Sequence, residues 1–137
     1  MTANAATTPT TLPAAQAGRP IAWFDIPVHD LDRATRFYET VLDTTLQREQ
    51  FGGLPIARFN REGTHTAGCL VQDPHGAKPS KAGTTVYLNA GASVAQALAR
   101  ATHAGGAVDG PVIELPRDIG YIVDTEGNRV GLHAHGR

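Results

Sequence analysis

Two side chains in this sequence of 137 residues suit proton transfer: Asp25, in the run IAWFDIPV, and His133, in RVGLHAH. A carboxylate set in an apolar wall holds its proton more readily than in water, and an imidazole titrates near neutrality. Together such groups can serve as general acid and base. Asp25 shares a strand face with Trp23, and His133 shares one with Gly131, because alternate residues of a strand point the same way. The competing readings are a structural hydrogen-bond acceptor for Asp25 and a solvated strand end for His133. His133 and His135 also stand at strand spacing on one face, but two imidazoles are too few to define a metal site. Cys69 reads as a small buried hydrophobe, since no particular histidine can be tied to it. His103 falls in the last turn of a helix, where it complements the helix dipole; His29, His65 and His75 fall near turns or strand ends.

The elements that must position these groups follow from periodicity. Along Ile21 to Val28, Phe24, Ile26 and Val28 share one face, and Trp23, Asp25 and Pro27 the other. Asp30 is a helix N-cap, and Leu31, Ala34, Thr35, Tyr38, Val41 and Leu42 recur at helical spacing after it. Strands are expected at Leu46 to Phe51, Leu54 to Asn60 and Thr66 to Gln72, separated by Gly52-Gly53 and Glu62-Gly63. Beyond a linker from Asp73 to Gly83 the order restarts: a strand at Thr84 to Asn89, then a helix at Ala92 to His103 closed by Gly105-Gly106. Strands near Val108, at Gly120 to Val123 and at Arg129 to His133 follow, the last two joined by the turn DTEGN. The interval from Trp23 to Thr85 equals that from Asp30 to Ala92, which points to a duplicated βαβββ unit.

Composition narrows the partners. A formal net charge of -1 offers no basic field for nucleic acid, and no apolar run approaches the length needed to span a bilayer. One cysteine cannot form an internal disulfide, which leans towards a cytoplasmic location. Residues 1–19 are small, polar and interrupted by Pro9 and Pro13, so we expect a disordered arm rather than a signal peptide, followed by a single domain over residues 20–137. The two modules of that domain should span about residues 20–73 and 84–137.

The segment IAWFDIPVHDLDRATRFYETVL, then VYLN, an alanine-rich helix ending in HAGG, and VDTEGNRVGLH together resemble the vicinal-oxygen-chelate superfamily, the glyoxalase, bleomycin-resistance and dioxygenase-like proteins. The resemblance covers about Ile21 to His135. It implies an α+β fold in which two tandem βαβββ modules form a curved mixed sheet around a cavity, with helices on the outer face, commonly in homodimers. In metal-dependent relatives the first and last strands of each module send ligands into that cavity. By position those ligands would fall on Trp23, Thr85, Gly131 and either Gly68 or Cys69. None of these offers a histidine or a carboxylate, so no metal or other cofactor is expected there.

If Phe24, Ile26 and Val28 face the helices, Trp23 and Asp25 face the concave side, where Trp23 would form an aromatic wall for a flat ligand. The competing role for Trp23 is a core aromatic. Tyr87 and Asn89 share the face of Thr85 and should line the same cavity, together with Gly131. The leading expectation is therefore a protein that sequesters or carries a small, partly aromatic organic molecule. The alternative is a metal-independent isomerase, cyclase or lyase using Asp25 and His133 as its acid and base groups.

Overall fold

The computed structural model describes residues 20–59, 67–115 and 117–134. The N-terminal arm, His65 and His135 lie outside the described residues. The first module comprises β1 (Trp23–Pro27), α1 (Leu31–Leu42), β2 (Gln47–Phe51), β3 (Leu54–Arg58) and β4 (Ala67–Val71). The second comprises β5 (Tyr87–Asn89), α2 (Val94–His103), β6 (Ala107–Val108), β7 (Ile113–Leu115), β8 (Arg117–Val123) and β9 (Arg129–His133). The strands divide between two mixed sheets, giving an α+β fold of tandem modules. One sheet runs β1-β4-β3-β2; the other runs β5-β9-β8-β6, with β7 also paired to β8.

In each module the first strand lies parallel to the last, and the ladders match. Val28 donates its N–H to Val71 at 3.0 Å, and Ala90 donates to His133 at 2.9 Å, donor and acceptor both displaced by the interval that separates Trp23 from Thr85. The internal repeat read from the strands is thus a repeat of hydrogen bonding. The helices depart from it by one residue. Asp30 caps α1 by accepting from the Arg33 N–H at 3.0 Å, whereas α2 is capped by Ser93, which accepts from the Gln96 N–H at 3.1 Å. The expected start at Ala92 is therefore corrected: Gly91, at a φ of 81°, adds a residue before the cap, and a serine oxygen satisfies a helical donor that alanine cannot.

Both helices cover the same side of the strands and close one core. Ile26, Val28, Phe37, Tyr38, Val41 and Leu70 of the first module join Leu88, Val94, Leu98, Ile122, Val130 and Leu132 of the second in one buried cluster. Apolar burial on one face of each strand and one stripe of each helix is the driving force for this arrangement. β8 extends further towards its N-terminus than Gly120 to Val123, because it also pairs with β7 in a hairpin that alternation did not expose.

The turn DTEGN between β8 and β9 fastens the two modules. The Asp124 carboxylate accepts from the Glu126 and Asn128 N–H groups at 2.8 and 2.9 Å, and from the buried Tyr38 hydroxyl at 2.5 Å. Burial, followed by the negative charge of Asp124, pushes the Tyr38 pKa well above the usual tyrosine range. Asn128 donates to the Pro27 carbonyl at 2.8 Å, holding β1 in place. Glu126 reaches the start of α1, where its carboxylate accepts from the His29 and Asp30 N–H groups, both at 2.9 Å, and from Arg33 at 2.7 and 2.8 Å.

Candidate functional site

The face of the first sheet turned away from the helices carries an apolar hollow of about 240 Å³. Its wall is formed by Trp23, Phe51, Leu54, Ile56 and Val71, with Asp25 and Cys69 set among them. Strand parity produces this arrangement: Ile26 and Val28 point into the core, so Trp23 and Asp25 point the other way. Trp23 is 39 % exposed and Phe51 67 %, with ring centroids 6.3 Å apart and planes at 23°. Phe51 was not singled out by sequence, because β2 is polar along Gln47–Gln50 and its one aromatic residue meets Trp23 only through folding.

Asp25 is anchored rather than loose. Its Oδ1 accepts from the Trp23 indole N–H at 2.8 Å and from the Cys69 thiol at 3.4 Å, leaving Oδ2 open among the described residues. The uncertainty between Gly68 and Cys69 is resolved by register. Cys69 is the partner of Asp25 and lines the hollow, whereas Gly68 is the partner of Phe24, on whose ring a Cβ at that position would collide. Burial, then the donated hydrogen bond and the charge of Asp25, pushes the Cys69 pKa up to about 12.

Cys69 is only 1 % exposed, so at pH 8 its thiol should react with a disulfide reagent at least about a hundredfold more slowly than free cysteine. Urea should restore the ordinary rate. Free-cysteine kinetics in the native protein would show that the thiol is neither buried nor held protonated.

A second hollow of about 120 Å³ lies where β1 approaches the other module, and Asp25 borders it too, with Lys78, Asn128 and Arg129. The Arg129 guanidinium donates to Asp109 at 2.7 Å and lies 4.0 Å above the Tyr121 ring. Next to it, on the second sheet, the Tyr87 and Tyr121 hydroxyls meet at 2.7 Å with their rings edge to face. The hydrogen bond to Tyr121, then partial burial, raises the pKa of Tyr87. The Tyr87 ring lies on Gly131, its partner in the parallel ladder; a Cβ there would collide with the ring.

The other expected site residues are placed as follows. Thr85 is half-buried two residues before β5, and Asn89 is exposed at the end of β5 opposite His133. His133 is half-buried on β9 and borders neither hollow. Trp23 and Asp25 are therefore brought together; Tyr87 and Gly131 are brought together on the other sheet; Asp25 and His133 do not share a hollow.

The resemblance implies a divalent ion in metal-dependent members, and the side chains at the positions it assigns do not supply ligands for one. The four corresponding positions carry an indole, a hydroxyl, a thiol that donates to Asp25, and a glycine covered by Tyr87. Among the described residues no three His, Cys, Asp or Glu side chains gather into a group able to hold a metal.

Tandem modules, one βαβββ and the other with one strand more, and both helices on one side define the class to which this architecture belongs. The chain is a member of the Glyoxalase/Bleomycin resistance protein/Dioxygenase superfamily, whose family model matches residues 20–132. Solved structures agree. A glyoxalase/bleomycin resistance protein from Streptomyces sp. CB03234 is 26 % identical with a TM-score of 0.61, over 82 % of this chain and 98 % of that one. TnmS3, an antibiotic binding protein from the same organism, is 25 % identical with a TM-score of 0.63, over 86 % and 97 %. A V278E mutant of glyoxalase I from Zea mays is 23 % identical with a TM-score of 0.65, over 84 % of this chain and 46 % of the maize chain. No curated protein matches the sequence.

Proposed function

We propose that this protein binds a small, partly aromatic organic molecule and sequesters or carries it without a resident metal. The observation that carries this reading is the apolar hollow in which Trp23 and Phe51 present exposed rings beside a single anchored carboxylate, Asp25. Ligand sites are mostly apolar concavities with a few fixed polar groups, and this hollow has that composition. The likeness to TnmS3, described as an antibiotic binding protein, supports the same reading. Two donors on Oδ1 suit Asp25 to orient a ligand. The enzyme alternative is weakened because His133 borders neither hollow.

Trp23 is the only tryptophan, so its emission reports on the hollow directly. Titration with a panel of flat aromatic compounds should quench it saturably, and native mass spectrometry of protein from its own host should retain a small molecule. An unliganded mass together with unaltered emission across the panel would overturn the proposal.

A homodimer belongs to the same proposal. Trp23, Phe51 and Tyr87 are exposed, and closed two-fold association is the commonest way to cover such apolar surface. Sedimentation equilibrium at micromolar concentration should give twice the chain mass; monomer alone would refute it. Cys69 is a free thiol, in keeping with the reducing cytoplasm, and no described helix is long and apolar enough to cross a membrane.

A further inference from the structure

We propose that the Tyr87–Tyr121 pair is a hydrogen-bond donor site for an oxygen of the ligand, so that the molecule bound is an aromatic carrying a carbonyl or other acceptor oxygen. This inference rests on the binding reading and adds the chemistry of recognition. Two phenols joined at 2.7 Å hold two hydroxyl hydrogens, and one of them makes the shared bond. Whichever hydroxyl accepts that bond keeps its own hydrogen for an outside acceptor, and donating the shared bond to it polarises the chain of hydroxyls in the same direction.

The pair is held in place from two sides, and its rings brace each other. Gly131 provides the only kind of surface on which the Tyr87 ring can lie, since a Cβ there would overlap it. The Tyr121 ring meets Tyr87 edge to face, with centroids 5.7 Å apart. The Arg129 cation, 4.0 Å from the Tyr121 ring centroid and tied to Asp109, draws electron density from that phenol and favours its donation. Water competes well for a hydrogen bond between exposed hydroxyls, and Tyr87 is 50 % exposed, so stability alone accounts poorly for such positioning.

Arg129, which lies over the Tyr121 ring, also borders the second hollow; Asp25 borders that hollow from the first module and the hollow of Trp23 and Phe51 as well. Asp25 and Tyr87 occupy corresponding positions of the internal repeat, each beside its parallel partner. One module thus offers an acceptor where the other offers a donor.

Equilibrium dialysis with 9-fluorenone and fluorene tests this, because the two neutral rings differ by one ketone oxygen. The protein should bind fluorenone about three- to tenfold more tightly, the value of one hydrogen bond. Tyr87→Phe or Tyr121→Phe alone leaves one hydroxyl able to donate, so the double Phe variant is the decisive one. It should bind the two compounds with equal affinity, the preference for fluorenone being lost. Equal binding of the two by the unmodified protein, or a preference that survives in the double variant, would overturn this inference and leave the binding reading intact. Failure of both compounds to bind would overturn the two together. The carbonyl stretch of fluorenone bound to the unmodified protein gives a check that needs no variant. It should fall below its frequency in an apolar solvent, and an unshifted band would refute the donor.

Discussion

Replacing Glu126 by alanine is expected to lower the unfolding free energy by about 3 kcal/mol, a large fraction of the margin of a domain this size. The side chain is fully buried, and its two oxygens accept five hydrogen bonds: from the His29 and Asp30 N–H groups, twice from Arg33, and from the Thr125 hydroxyl. Alanine would leave the N–H groups of His29 and of the cap residue Asp30, just ahead of α1, without their acceptor. It would also cut the link between residues 96 and 97 positions apart that fastens the second module to the first.

The same carboxylate gives a pH signature. Burial alone would raise its pKa, but the hydrogen bonds from Arg33, Thr125 and the Asp30 and His29 backbone prevail and hold it at about 2. A pKa depressed on folding contributes stability that is fully present above about pH 4.5 and is lost as pH falls towards 2. A shift of that size corresponds to about 3 kcal/mol. Urea unfolding at pH 6 and pH 2.5 should show this loss in the unmodified protein and a smaller one in Glu126→Gln, which lacks the ionisable group. Equal acid sensitivity in the two proteins would remove Glu126 from the account.

Trp23→Ala should weaken binding of an aromatic ligand by about 1 to 3 kcal/mol, the range for losing a buried aromatic contact surface. The indole supplies one wall of the hollow and also donates to Asp25 at 2.8 Å, so its removal also leaves the carboxylate with Cys69 as the remaining donor on Oδ1. Trp23→Phe should restore much of the contact without the donor, separating the two contributions. An affinity unchanged in the alanine variant would place the ligand elsewhere. Asp25→Asn distinguishes binding from turnover, because it nearly preserves shape while removing the ionisable group. Binding kept with turnover lost would favour the enzyme alternative; binding kept with no turnover in either protein would favour the carrier.

Local pattern determined a good deal of this protein. Alternation in IAWFDIPV assigned each residue of β1 to its face, since the period of a strand leaves only two choices and burial selects one. Asp30 was legible as a cap because its oxygen meets a helical N–H three residues on, a contact contained within one segment. The internal repeat was legible because both modules bury the same strand face, as at Ile26 and Leu88.

Tertiary structure decided what depends on partners distant in sequence. Whether Gly68 or Cys69 faces the hollow is a matter of register against β1, which a ladder of backbone bonds sets and side-chain type does not. Ser93 displaced Ala92 because one added glycine shifts a cap without disturbing the strand pairing. Phe51 joined Trp23, and Tyr121 joined Tyr87, only when parallel and antiparallel pairing together brought their strands into the same sheets. DTEGN read as a turn, yet the roles of Asp124, Glu126 and Asn128 as the fastening between modules required the start of α1 and the end of β1 to come within hydrogen-bond distance. Periodicity assigns faces within an element, while contacts between elements arise from the packing of the whole core.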